Sequence, residues 1–107
     1  MKDLFELYKV LGKVKPDVAK IAKAYLDEYI QTETPEAKHQ HLYWMGFLEE
    51  LQHNLNLIEE GEWVTLQQFQ ERAAVALWHM GGKVGPVVEG RINMLHLIKD
   101  FEPIGGE

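Results

Sequence analysis

The chain has 107 residues, of which 46% are apolar and 26% charged, and it carries a formal net charge of −6 with no cysteine. That length supports one domain with a real core and not two, and the composition is that of a globular chain, not a disordered one. Without cysteine there is no disulfide framework, thiol nucleophile, iron–sulfur site or zinc finger.

The N-terminus, MKDLFELYKV, mixes acids with its apolar residues and has no secretory signal pattern. No apolar run approaches the roughly 20 residues a membrane span needs. The expectation is a soluble, cytoplasmic protein with no membrane partner. Its charge is unevenly spread. Residues 1–38 hold seven basic and seven acidic side chains, whereas His39 to Glu71 holds six glutamates and no lysine or arginine. Nucleic-acid binding relies on a basic face, and Lys9, Lys13, Lys20 and Lys23 are too few to make one, so DNA and RNA are not expected as partners.

Residues 3–31 place Leu4, Leu7, Leu11, Val14, Val18, Ile21, Tyr25 and Glu28 in alternating steps of three and four, which marks one face of a helix. Pro16 interrupts this helix but not its phase. A kink or break is expected between Gly12 and Pro16, since an interior proline costs about 3 kcal/mol or more, and Lys15-Pro16-Asp17 has the form of a fresh helix start.

Gln31 to Pro35 forms a turn, with Thr34 as N-cap, Pro35 at the first helical position and Glu36 behind it. A second helix over Glu36–Glu60 carries the seam Ala37, His41, Trp44, Leu48, Leu51, Leu55, Ile58 and ends at Glu60-Gly61. Antiparallel pairing of the two seams sets Leu11 against Ile58, Val14 against Leu55, Val18 against Leu51, Ile21 against Leu48, Tyr25 against Trp44 and Glu28 against His41. The same register brings Lys20 near Glu49 and Lys9 near Glu60.

Thr65 and Gln68 form a capping box, with a staple between Val64 and Phe69. The third helix runs to about Met80 and buries Leu66, Phe69, Ala73, Ala76, Leu77 and Met80. Gly81-Gly82-Lys83-Val84-Gly85-Pro86 then breaks and restarts the chain. The fourth helix reaches about Phe101, stops before Pro103, and leaves a frayed tail over Ile104–Glu107. Here Leu66 faces Phe101, Phe69 faces Ile98, Ala73 faces Leu95, Ala76 faces Ile92 and Met80 faces Val88. The predicted fold is all-α: a single domain forming an up-and-down four-helix bundle of two antiparallel hairpins, the first longer, with the first helix kinked near Pro16.

Catalytic chemistry finds little to work with. No serine occurs, and two of the three threonines are helix caps, so nucleophilic catalysis is disfavoured. Gly81-Gly82-Lys83 follows a helix and lacks the Ser or Thr of a phosphate loop, so it reads as a helix–helix turn. Glu50-Leu51-Gln52-His53 has the E-x-x-H spacing used in di-iron bundles. In this register, though, Glu50 faces Ala19 and His53 faces Pro16. Apart from Asp17, the nearest first-helix carboxylate is Asp27, eight positions or roughly 12 Å away. Leu51 and Leu55 hold the core stripe, which turns Glu50 and His53 toward solvent. His39 and His41 diverge on the helix and do not chelate together. His79 and His96 read as surface or satisfied core, with His96 nearly level with Glu71. Enzyme activity is disfavoured but left open, and no cofactor is expected.

The feature that points to function is a length mismatch. The second helix spans roughly 37 Å and the third roughly 23 Å, so the third covers only about Gly46 to Glu60. The outer end of the first hairpin should therefore project uncovered, bearing Tyr25, Tyr29, His41, Tyr43, Trp44 and Met45, with Phe47 just inside. Exposed aromatic patches mark interfaces. The leading expectation is an assembly module that forms a homodimer through this aromatic tip. The first alternative is a metal or small-ligand site on Glu28 and His41 with the flanking tyrosines. The other is an acidic adaptor or inhibitor whose glutamate-rich second helix docks on a basic partner.

Overall fold

A computed structural model describes residues 2–61 and 65–102, with side chains from Leu4 onward. Four helices account for nearly all of it: α1 Lys2–Thr32, α2 Pro35–Glu59, α3 Leu66–Met80 and α4 Pro86–Lys99, with no strand among the described residues. The staple on Val64, the stop at Pro103 and the tail beyond it lie outside the described residues.

The turns follow the local chemistry. The Thr34 side chain accepts from Ala37 N at 3.4 Å and Pro35 opens α2. At α3, Gln68 N donates to Thr65 Oγ1 at 3.2 Å while Thr65 N donates to Gln68 Oε1 at 3.3 Å, completing the capping box. Gly61, at φ 74°, closes α2 in the left-handed region that glycine tolerates. The turn after α1 is less comfortable: Glu33 takes φ 53° while its N–H caps Tyr29 O at 2.7 Å. An L-residue there costs roughly 1–2 kcal/mol.

α1 is one continuous helix through Pro16, so no break and no second helix start occur. Pro16 cannot donate to the Gly12 carbonyl, but both residues are exposed, and water can satisfy that oxygen. The seam of α1 behaves as expected as far as Val18. Beyond it the inward positions are Ala22, Tyr25 and Tyr29, while Ile21 and Glu28 are exposed. A straight helix gains about 20° per heptad on a strict 3.5-residue repeat, and one extra step of four, from Val18 to Ala22, absorbs that drift.

The core sits at one end of the bundle. Leu4, Leu7, Leu11 and Val18 of α1 meet Leu51 and Leu55 of α2, Leu66, Phe69 and Ala73 of α3, and Met94, Leu95 and Ile98 of α4. At the opposite end, the buried positions of α1, α2 and α4 are small: Ala22, Ala37, Gly46 and Gly90. There, backbone approach replaces side-chain filling.

The neighbour relations differ from the predicted ones in one respect. α2 packs against α1 on one side and against α4 on the other, and α3 packs chiefly on α4, touches α1 briefly and reaches α2 through the Arg72 side chain. α4, not α3, covers α2. α4 crosses α2 closely where Gly46 meets Val87 and Gly90 meets Tyr43 and Phe47, and His39 with Glu89 at 3.6 Å and Arg91 with Glu49 at 3.2 Å flank the crossing. A Cβ on Gly46 would lie 2.1 Å from Val87 O, and one on Gly90 would lie 2.0 Å from Tyr43 O. Only glycine fits at either position.

Candidate functional site

Two regions gather the residues of interest. The first is the outer end of the first hairpin. Tyr43, Trp44, Met45 and Phe47 are half-buried, and so are Tyr25, Tyr29 and His41. Tyr43 and Trp44 meet edge to face at 5.1 Å between ring centroids, and Trp44 lies 5.5 Å from Phe47. Asn93 of α4 donates to the Tyr43 hydroxyl. The expectation that the outer end of the first hairpin projects uncovered is therefore corrected on its α2 side, because α4 reaches to the level of His39. It does so because α4 packs against α2 itself, a relation that comparing the lengths of α2 and α3 does not contain.

The predicted Glu28–His41 pair does not form. His41 Nδ1 bonds the Ala22 carbonyl oxygen at 2.8 Å, and Glu28 stands exposed on the other side of the drifted seam. Glu49 pairs with Arg91 instead of Lys20, and Lys9 lies over the Phe5 ring at 5.2 Å instead of meeting Glu60.

Exposed apolar side chains at this end lie at the α3–α4 turn, where Trp78 and Val84 are 79% and 89% exposed, and along α1. Ile21, Leu26 and Ile30 are 36%, 37% and 66% exposed. Ala19, Lys23, Leu26 and Ile30 step by four, three and four, which places them on one outward face. Lys23 and Asp27 on that surface are 3.3 Å apart and solvent-accessible, so their pairing adds little to stability.

The second region lies at mid-height on α2 and overturns another expectation. Glu50 is not solvated: it is 7% exposed, and Asn54 beside it is fully buried. Asn54 Nδ2 donates to Glu50 Oε2 at 2.8 Å and to the Glu50 carbonyl at 2.6 Å. Arg72 crosses from α3, donating from Nη1 to Asn54 Oδ1 at 3.0 Å and lying 3.1 Å through Nη2 from His53 Nε2. That geometry needs His53 Nε2 as the acceptor, so the proton sits on Nδ1. The Arg72 guanidinium also stands over the Phe69 ring at 5.9 Å. Burial lowers its pKa, and the Glu50 carboxylate partly offsets this. The side chains present form a hydrogen-bonded charge network. Among the described residues no three His, Asp or Glu side chains converge to hold a metal ion, and Glu28, His41, Glu50 and His53 do not do so.

Arg72, Asn54 and Arg91 carry this region and were not anticipated. A signal for two of its members does exist in the sequence. Tyr43, Phe47, Glu50, Asn54 and Leu57 form a second stripe with the same three-and-four spacing as the main seam, all of it at least partly buried. Polar residues inside such a stripe mark a buried network. No family model matches the chain, and no similar curated protein or solved structure was found.

Proposed function

We propose that the chain is a helical assembly module that pairs with a second copy of itself through the outer half of α1. The observation that carries this reading is the exposed stripe containing Leu26 and Ile30, on a stretch of helix that α2 covers from one side only. Two-fold pairing is the commonest way for a surface to satisfy itself. If two α1 segments lie antiparallel about an axis near Tyr25 and Leu26, Lys23 of one copy falls level with Asp27 of the other. The charges at the rim of the stripe are thus self-complementary. The half-buried Tyr25 and Tyr29 at the edge of this surface supply the aromatic area that interfaces favour.

The test is light scattering on the wild-type chain and on a Leu26→Glu, Ile30→Glu double variant. Both positions are surface positions, so the variant should keep its helical circular dichroism and its thermal transition. The proposal expects a dimer mass for the wild type and a monomer mass for the variant. Equal masses for the two would refute it.

A further inference from the structure

The charges of α1 reverse near Tyr25. Lys9, Lys13, Lys15, Lys20 and Lys23 precede it with Asp17 as the one acid among them, whereas Asp27, Glu28, Glu33 and Glu36 follow it with no base between them. A helix C-terminus favours bases and disfavours acids, yet the last turn of α1 carries no basic residue. Nor does a single chain put these charges to use. Among the described residues the one ion pair they form is Lys23 with Asp27, and Lys13, Lys20, Glu28, Glu33 and Glu36 are exposed. The point of reversal, midway between Lys23 and Asp27, is also the middle of the outward stripe that runs from Ala19 to Ile30.

We infer, building on the self-pairing proposed above, that two copies of α1 pair antiparallel in a register set by this charge reversal, and that ionic strength controls the assembly. With Lys23 of one copy level with Asp27 of the other, Lys20 falls level with Ile30. Lys15 falls level with the α1–α2 turn, which bears Glu33 and Glu36. Each basic half thus runs along an acidic half, twice over by symmetry. Ile30, at 66% exposure the most exposed large apolar side chain of α1, comes beside the small Ala19. A parallel pair would set lysine beside lysine and acid beside acid. Complementarity of this kind fixes orientation and register. The apolar stripe is short, so the charges decide how firmly it holds. Exposed charges are screened beyond about 10 Å at 0.1 M salt and beyond about 3 Å at 1 M, so the pair is tightest in dilute salt.

The chain has no cysteine, which allows a direct test of orientation. Two single-cysteine chains, Ala19→Cys and Ile30→Cys, are mixed, one of them labelled with nitrogen-15, and joined with a short bifunctional maleimide. Mass spectrometry then identifies the products. The inference expects the mixed product to dominate, because antiparallel pairing separates the two copies of position 19 by roughly 18 Å along the axis and those of position 30 by roughly 15 Å. Its yield should fall roughly tenfold between about 20 mM and about 500 mM sodium chloride. Charge reversal gives a second readout at exposed positions: Lys23→Glu and Asp27→Lys chains should each be monomeric alone and dimeric when mixed.

Joining of like positions would mean parallel pairing and would overturn the inference while leaving self-association through α1 intact. A mixed product indifferent to salt, or Lys23→Glu chains that remain dimeric alone, would overturn it in the same way. If no product forms the inference fails, and light scattering in dilute salt separates the causes: a monomer mass refutes the self-pairing as well, and a dimer mass moves it to another surface.

Discussion

Replacing Gly90 by alanine tests the packing of α4 on α2 directly. In an ordinary helix interior this change is favourable by about 1 kcal/mol, because glycine is the poorer helix former. Here the new Cβ would stand 2.0 Å from Tyr43 O and 2.7 Å from Phe47 N, both backbone atoms, whereas ordinary contact begins at 3.4 Å. Relief requires α4 to retreat from α2 by 3.4 − 2.0 = 1.4 Å along that direction. Such a shift strains the Asn93–Tyr43 and Arg91–Glu49 contacts and opens the packing around Met94. Overpacking of this kind costs about 1–3 kcal/mol and occasionally more, and two rigid helices leave no flexible side chain to yield. The expected net loss is at least about 2 kcal/mol, or a fall in Tm of roughly 9 °C for a chain of this size. Gly46→Ala, 2.1 Å from Val87 O, should behave alike. Gly12→Ala is the internal control: it has nothing within 4 Å and should stabilise by about 0.5–1 kcal/mol. Urea unfolding followed by circular dichroism reads all three. A Gly90→Ala protein as stable as Gly12→Ala would refute the close approach of these helices.

Three further outcomes follow from the structure. Arg72→Met keeps an apolar stem over Phe69 but removes the guanidinium that serves Asn54 and balances Glu50, so unfolding should cost about 1–3 kcal/mol less than in the wild type. Adding Glu50→Gln should recover part of that loss, and additive losses would show that the two groups are not coupled. Glu33→Gly relieves the left-handed backbone at the α1–α2 turn and should raise stability by up to about 1 kcal/mol, net of the greater freedom of glycine in the unfolded chain; a lower Tm would contradict the strain. Glu89→Ala breaks an exposed contact with His39 and should move the denaturation midpoint little, within about 0.5 kcal/mol.

The two hairpins were legible because each rests on signals that act locally and agree with one another. Thr34-Pro35, Glu60-Gly61 and Thr65 with Gln68 each satisfy helix-end groups within a few residues, so tertiary context has little to override. Seam spacing was equally informative near the core, where Leu4, Leu7 and Leu11 have side chains large enough to define a face. It misled at the outer end, where a strict alternation carried forward to Glu28 ignored the drift of a straight helix and put His41 opposite the wrong residue. Which helix lies beside α2 was not legible at all from hairpin register, since that register compares only sequence neighbours. Gly46 and Gly90 held the missing information: each sits inside a helix, where glycine is unfavourable, and each marks a backbone contact. Glu50 was misread for a related reason. One apolar stripe was assigned to α2 when it has two buried faces.

Self-association is the claim on which the functional account turns, and sedimentation velocity of the wild-type chain over a dilution series measures it most directly. The account predicts a concentration-dependent shift from a 12.4 kDa monomer to a species of twice that mass, with Ile30→Glu confined to the monomer. A single 12.4 kDa species up to high micromolar concentration, indistinguishable from Ile30→Glu, would contradict it.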